Sequence, residues 1–215
     1  MRIVWHGHAC FEIDDGGRTI VIDPHDGKSI GIKPPRARAD LVLVTHDHFD
    51  HNAVRMVQRE GTRVIAGRED EPVGKDIDLK VIKGYHDSER GQRRGVVNMY
   101  LFTVDGVNFC HVGDLGHIID DEILKEFDRP IDILFVPVGG HFTIDGREAQ
   151  EVVDRLKPKV AVPMHYKISG LTLPIKGPEE FLEGFANVNM VGGEIDILPE
   201  ELSDIESTEV WQFSL

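Results

Sequence analysis

A cluster of metal-binding residue types constrains this chain more than any other feature of its sequence. Residues 46–51 read H-x-H-x-D-H. The apolar run Leu41-Val42-Leu43-Val44 directly before them predicts a buried strand. The composition of Ala53 to Glu60 directly after them predicts a helix. The cluster is therefore expected on a loop at the end of a strand, from which side chains can turn toward a common centre.

The residue types in this cluster suit metal binding. Neutral imidazole and carboxylate groups are good ligands for zinc, manganese and iron, and about three are needed to hold one ion. His46 and His48 can reach one ion, while Asp50 and His51 lie further round the turn and can serve a second ion nearby. The alternative interpretation is an acidic surface loop that is rich in histidine. The full pattern directly after a strand favours the metal site.

Length and composition describe an ordinary globular protein. With 215 residues, of which 40% are hydrophobic and 29% charged, we expect a single domain over residues 1–215. No apolar run approaches the roughly 20 residues of a membrane span, so no membrane partner is expected. Met1 to Trp5 enters strand-like sequence directly, which favours a cytoplasmic location. The net charge of -14 argues against a nucleic-acid partner, because phosphate binding needs a basic face.

Further histidine and aspartate residues stand where predicted strands end. Asp23 ends the predicted strand Thr19 to Asp23. Asp114 follows a hairpin predicted from Val96 to Val112 across Asp105-Gly106. His86 and His165 each stand at the end of a predicted strand as well. These positions extend the candidate site beyond residues 46–51.

Together, residues 46–51 and these strand ends resemble the metallo-β-lactamase superfamily. The resemblance implies an α/β (α+β) fold, a four-layered αββα sandwich that carries one or two metal ions. It also implies one further histidine, one aspartate and one last histidine as ligands, each at a strand end. The implied ligand set is His46, His48, Asp50, His51, His86, Asp114 and His165.

Short motifs resemble a particular branch of that superfamily. The Gly-His near the N-terminus, Gly-Asp-Leu-Gly, Pro-Val-Gly-Gly and Pro-Met-His-Tyr are similar to those of small prokaryotic metal-dependent hydrolases, close to lactonases that open a phosphorylated ascorbate ring. The resemblance implies a binuclear hydrolase, in which a hydroxide that bridges two divalent ions attacks a small ester or lactone. Asp50 and Asp114 would orient this nucleophile. Zinc is the expected metal, with manganese and iron as alternatives.

Two other functions remain open. One is a small-molecule phosphodiesterase, and the other is a non-catalytic protein that binds metal and a metabolite. The basic loop from Glu89 to Gly95 can bind an anionic group of a small-molecule substrate, or it is simply solvated. The sequence leaves open whether the chain forms a homo-oligomer.

Four further residues are expected near the ligands, where they either hold the ligand side chains in place or contact the substrate. The resemblance implies that Asp23 buttresses a ligand histidine, which would fix its tautomer. His8 is expected at the mouth of the pocket. His111 rivals His86 as the third ligand of the first metal, and family-like spacing favours His86. His141 either faces the substrate or lies on the surface.

Overall fold

The computed structural model describes residues 1–67 and 77–215, which form two mixed β-sheets that pack face to face. The described strands are β1 (Arg2–Trp5), β2 (Phe11–Asp14), β3 (Thr19–Ile22), β4 (Ala39–Leu43), β5 (Gln58–Ile65), β6 (Asp78–Tyr85), β7 (Val96–Val104), β8 (Val107–His111), β9 (Ile133–Pro137), β10 (Val160–Met164), β11 (Val188–Met190), β12 (Glu194–Asp196) and β13 (Glu209–Gln212). The described α-helices are α1 (Asp121–Leu124), α2 (Gly146–Leu156), α3 (Glu179–Leu182) and α4 (Pro199–Ser203).

Strand direction brings several strand ends to one edge. The first sheet has the order β12-β1-β2-β3-β4-β5, in which β3, β4 and β5 are parallel. The second has the order β11-β13-β10-β9-β8-β7-β6, in which β8, β9 and β10 are parallel. Because β7 is antiparallel to both β6 and β8, β6 also runs in the direction of β8. The carboxyl ends of β6, β8 and β10 therefore lie at the same edge of their sheet.

The main core fills the space between the sheets. Phe11 from the first sheet packs against Phe135 from the second, with ring centroids 4.2 Å apart. Leu41 and Leu43 point into this core, as the two-residue alternation of a strand requires. The intervening Val42 packs on the opposite face, in a smaller cluster with Val57. This alternation explains why β4 is apolar throughout, since both of its faces are covered.

The outer layers are thin. Helix α2 begins with a capping box between Asp145 and Glu148, and it contacts β9 and α3.

The predicted helix from Ala53 to Glu60 is wrong. A single 3-10 turn, Val54–Met56, covers Val42 there, and β5 begins at Gln58 because the chain pairs in parallel with β4.

The predicted fold class is confirmed, as an αββα sandwich with few helices. The three N-terminal strands and the hairpin also form, with Asp105 at a φ of 49° and Gly106 at 81°, as a tight hairpin turn needs. Among the described residues, none of the helices combines the length and the apolar character needed to cross a bilayer.

Candidate metal centre

The side chains of the candidate site are supplied by the carboxyl ends of strands in both sheets. β4 leads into the loop of residues 46–51, β6 ends directly before His86, and β10 ends directly before His165. Asp114 follows β8 by three residues. Loops at strand ends carry these side chains while the hydrogen-bonded strands hold the loops in place.

Most of the predicted ligands fall into two groups that can each hold a metal ion. Within the part of the chain that the structure describes, one group contains His46, His48 and His86. A second contains His8, Asp50, His51 and His165, and a third, of Asp23, His46 and His51, shares one histidine with each of the first two. In each group the potential ligand atoms lie within 4.8 Å of one another, and all members are buried except His48, which is half-buried.

Asp114 lies between the two groups. Its Oδ2 is 3.3 Å from Nε2 of His86 and 3.2 Å from Nε2 of His165. Its Oδ1 is 3.3 Å from Nε2 of His51. The side chain is almost completely buried. From this position one carboxylate can contact an ion in either group.

Asp23 and Thr45 set the tautomers of two histidines. Oδ2 of Asp23 accepts hydrogen bonds from the Thr45 hydroxyl at 2.7 Å and from Nδ1 of His51 at 2.9 Å. Because the hydroxyl hydrogen of Thr45 goes to Asp23, its oxygen accepts from Nδ1 of His46, at 2.9 Å. We therefore assign the proton of both imidazoles to Nδ1, which leaves the lone pair of each Nε2 directed into the cluster.

These Nε2 atoms have the character of metal ligands. In residues 1–67 and 77–215, Nε2 of His46, Nε2 of His51 and Oδ1 of Asp114 are buried and make no hydrogen bond with the protein. Buried polar atoms are rarely left without a partner, because desolvation then costs about 1–3 kcal/mol each. A divalent cation satisfies imidazole lone pairs and carboxylate oxygens together, so the donor set fits a metal.

Burial and neighbouring charges set the protonation of the cluster. Burial, followed by the nearby His51, lowers the pKa of His46 to about 3, so its imidazole is neutral. Burial opposes ionisation of Asp114, but His165 and His51 hold its pKa well below the usual range. Burial disfavours the charged form of His51 too, yet Asp114, Asp23 and Asp50 raise its pKa well above normal. The three carboxylates thus favour positive charge at this centre, and a cation that binds there would displace a proton.

His8 lies beneath the cluster, whereas the sequence placed it at the mouth of the pocket. It is completely buried, and its Nε2 donates a hydrogen bond to Oδ2 of Asp50 at 3.0 Å. Its ring centroid is 4.1 Å from that of His165. His8, Asp23 and His165 all have a positive φ, between 47° and 56°. Such backbone conformations cost about 1–3 kcal/mol each and persist where surrounding contacts determine them.

The two rivals for one ligand position differ in what their ring nitrogens do. Nε2 of His111 donates to the carbonyl of Ala9 at 3.0 Å, and Nδ1 accepts from the N–H of Gly113 at 3.2 Å. Both nitrogens are therefore used in hydrogen bonds within the protein. His86 instead presents Nε2 to Asp114 and belongs to the first group. This geometry favours His86 as the ligand and His111 as a structural support at the end of β8.

A small cavity opens onto the cluster. Its volume is about 270 Å³, and its lining residues are His48, Phe49, Asp50, His86, Arg94, Asp114, Phe142, His165 and Leu173. The side chain of His141 is exposed and does not line this cavity, although its carbonyl accepts a hydrogen bond from Arg94. A larger cavity, of about 620 Å³, lies between Trp5, Lys33 and Leu215 and contains none of the clustered ligands.

Two glycines allow the ligand loops to approach one another. A Cβ at Gly116 would lie 2.4 Å from the carbonyl carbon of His86, and a Cβ at Gly139 would lie 2.2 Å from the carbonyl oxygen of His165. Any side chain at either position would therefore displace the backbone of a potential ligand. This contact explains why the Gly-Asp-Leu-Gly and Pro-Val-Gly-Gly runs need glycine at these places.

Sequence reasoning missed two residues of the site. Thr45 links Asp23 to His46, and Arg94 lines the cavity. Thr45 directly precedes the H-x-H-x-D-H pattern, but a hydroxyl beside a histidine carries no signal until its partners are known. Arg94 belongs to the basic loop that the sequence identified, and nothing in the sequence separates it from Arg90 or Arg93.

The fold and the cluster together define a member of the β-lactamase superfamily, and the family model agrees. The model described as "Beta-lactamase superfamily domain" matches residues 2–165, so the chain belongs to this superfamily. The predicted resemblance to the superfamily is confirmed.

Its relatives include proteins named UPF0173 metal-dependent hydrolases. One from Thermococcus onnurineus is 34% identical in an alignment of 207 residues that covers 84% of this chain and 90% of the relative. Another, from Thermoplasma acidophilum, is 34% identical in an alignment of 190 residues that covers 77% of this chain and 83% of the relative. A solved structure from Thermotoga maritima, assigned as a zinc-dependent hydrolase of the metallo-β-lactamase superfamily, has a TM-score of 0.76 and 32% identity. It covers 99% of this chain and 97% of its own.

Proposed function

We propose that this protein is a hydrolase of small esters or lactones that depends on two divalent metal ions, with zinc as the natural metal. The class is supported by the relatives named metal-dependent hydrolases and by the Thermotoga maritima structure. The choice of an ester or lactone rests on the resemblance of the short motifs to a lactonase-containing branch. A single domain over residues 1–215 would carry the activity.

The position of Asp114 carries the proposal of two ions. His46, His48 and His86 would hold one ion, and Asp50, His51 and His165 would hold the other. Asp114 would ligate both, since its oxygens lie within 3.3 Å of ring nitrogens from each group. A single-ion site would need about three or four of these residues and would leave the others buried without partners.

The chemistry of hydrolysis divides between the ions and the chain. Bound divalent ions lower the pKa of water toward neutrality and polarise a carbonyl or phosphoryl oxygen. Asp50 and Asp114 would accept hydrogen bonds from the attacking water and orient it toward the substrate carbon. His8 holds Asp50 in place through its Nε2–H. Phe49 and Phe142 line the cavity and would exclude bulk water around the substrate.

Metal content tests this proposal first. Protein purified without added metal would be measured by elemental analysis, beside Asp114→Ala and the control Asp105→Ala in the exposed hairpin turn. We expect about two equivalents in the natural protein and in Asp105→Ala, and one or none in Asp114→Ala. Less than half an equivalent, unimproved by added zinc or manganese, would overturn the proposal.

Turnover separates the remaining functions. A panel of lactones, simple esters and phosphodiesters would be offered to the zinc- and manganese-loaded protein, with His48→Ala as the variant that removes a ligand. We expect turnover of an ester or lactone that is lost in His48→Ala. Turnover of phosphodiesters alone would favour the phosphodiesterase. Full metal content with no turnover would favour a protein that binds metal and a metabolite.

A further inference from the structure

We propose that Arg94 binds an anionic oxygen group of the substrate, so that the preferred substrate is a small ester or lactone bearing one carboxylate or phosphate. This inference rests on the proposed hydrolytic function and names the substrate class of that site. It is carried by the fixed position of one guanidinium on the wall of the cavity that also contains His48, His86 and Asp114.

The loop that carries Arg94 is held rigidly. The buried carboxylate of Asp87 accepts four backbone N–H groups: those of Glu89 and Gly91 on Oδ1, at 2.8 and 2.9 Å, and those of Arg93 and Arg94 on Oδ2, at 3.0 and 2.8 Å. The loop closes where the N–H of His86 donates to the carbonyl of Gly95 at 3.0 Å. The backbone of Arg94 is thereby fixed relative to His86.

The guanidinium of Arg94 is also anchored. Its Nη1 donates to the carbonyls of His141 and Phe142, both at 3.0 Å. Its Cζ lies 5.1 Å from the centroid of the Phe142 ring, in a cation–π contact. An arginine held in this way loses little side-chain entropy when it binds a ligand.

Part of the hydrogen-bonding capacity of Arg94 is left for a ligand. A guanidinium has five N–H donors in a planar fork, and Nη1 carries only two of them. Within residues 1–67 and 77–215, Nε and Nη2 of Arg94 make no hydrogen bond and no carboxylate forms an ion pair with this side chain. The neighbouring Arg93 differs, since it forms an ion pair with Glu89 at 2.5 Å, its side chain is 72% exposed, and it does not line the cavity.

The cavity fits a small anionic substrate. A volume of about 270 Å³ lies just below the range for drug-sized ligands, which is roughly 300–1,000 Å³, and therefore suits a smaller substrate. Phe49, Phe142 and Leu173 supply apolar surface for a short carbon chain, and Arg94 supplies the one cationic side chain among the lining residues. A carboxylate or phosphate matches the planar fork, which binds such groups through two parallel hydrogen bonds.

Two esters that differ in charge test this assignment. The zinc-loaded protein, Arg94→Gln and the control Arg93→Gln would be assayed with p-nitrophenyl acetate, which is neutral, and with mono-p-nitrophenyl succinate, which carries a carboxylate. We expect Arg94→Gln to raise KM for the succinate ester about tenfold with little change in kcat, as the loss of a charge-assisted hydrogen bond predicts. Because the acetate ester has no anionic group, its KM should rise much less in Arg94→Gln than that of the succinate ester, and Arg93→Gln should leave both substrates unchanged. Equal losses on both esters, or no loss on the succinate ester, would overturn the proposal.

A binding measurement keeps this test separate from the hydrolase proposal. Succinate and inorganic phosphate would be titrated calorimetrically into the same three zinc-loaded proteins. We expect binding that weakens about tenfold in Arg94→Gln and stays constant in Arg93→Gln. If no ester is turned over, the proposed function fails, and the calorimetry alone still decides the role of Arg94. Absent binding, or equal binding in all three proteins, would overturn that role.

Discussion

Oδ2 of Asp23 accepts a hydrogen bond from Nδ1 of His51 at 2.9 Å, and both side chains are completely buried. Neither residue is adjacent to the other in the chain, since Asp23 follows β3 and His51 belongs to the loop after β4. The parallel pairing of these two strands brings their ends together. The hydrogen bond fixes the tautomer of His51 and increases the basicity of its free nitrogen.

Replacing Asp23 should therefore weaken metal binding without removing a ligand. Asparagine tolerates the positive φ of 47° at this position, so Asp23→Asn tests the charge and the hydrogen bond rather than the backbone. We expect zinc affinity to fall about 10- to 100-fold, as such supporting carboxylates usually contribute. Competition with a chromophoric chelator measures this affinity. Asp26→Asn is the matched control, because Asp26 bonds only to Ser29 in the described chain. Equal affinity in Asp23→Asn would contradict the prediction.

His86 and His111 should respond differently to truncation. His86→Ala removes a proposed ligand, so we expect the metal content to fall by about one equivalent while the fold is retained. His111→Ala removes two buried hydrogen bonds, to Ala9 and Gly113, and should lower the free energy of unfolding by about 2–4 kcal/mol. Its metal content should stay near that of the natural protein. Elemental analysis together with urea unfolding measures both quantities, and a reversed pattern would assign the ligand to His111.

Much of the fold and candidate site could be predicted from local signals. Strand composition and turn residues located β1 to β3 and the hairpin, because short apolar runs bounded by Gly and Asp predict strands and turns. The H-x-H-x-D-H pattern and the strand-end histidines identified the residues that the structure brings together. Each of these signals is local. The resemblance to a superfamily is what predicted that the separate residues meet at one metal site.

What could not be predicted depends on contacts between distant segments. The segment from Ala53 to Glu60 has helical composition, but pairing with β4 extends it into β5. The burial of His8 depends on Asp50 and His165, which are far away in sequence. Arg94 and Arg93 look alike in the sequence, and the carbonyls of His141 and Phe142 that anchor Arg94 come from a distant segment.

The close approach of Gly116 to His86 predicts that no side chain is tolerated at position 116. In Gly116→Ala the new Cβ would lie 2.4 Å from the carbonyl carbon of His86, which is closer than two non-bonded carbon atoms can approach. We expect the free energy of unfolding to fall by about 1–3 kcal/mol and the zinc affinity to fall as His86 shifts. Gly67→Ala is the control, because a Cβ there meets no atom within 4 Å in the described structure. Unfolding curves and chelator competition test both effects, and equal behaviour of the two variants would refute the contact as a constraint.

A buried histidine outside the proposed ligand set should make stability depend on pH. His25 is completely buried, and its Nε2 donates to the carbonyl of His6 at 3.0 Å. Burial is the main cause that lowers its pKa from 6.5 to about 4. Above about pH 6.5 the imidazole is neutral in both the folded and the unfolded chain and adds no pH dependence. Between about pH 6.5 and pH 4 the unfolded chain binds a proton that the folded chain does not, so stability falls as pH falls.

The lowered pKa of His25 sets the amount of stability that is lost at low pH. A pKa difference of roughly 2.5 units corresponds to about 3 kcal/mol, lost gradually over that pH range. His25→Asn should remove this contribution, so its free energy of unfolding should decline less steeply between pH 6.5 and pH 4. Urea unfolding of the metal-loaded natural protein and variant at several pH values isolates the difference, because the other histidines contribute equally to both. Parallel curves would contradict the lowered pKa, because they would mean that His25 binds its proton over the same pH range in the folded and the unfolded chain.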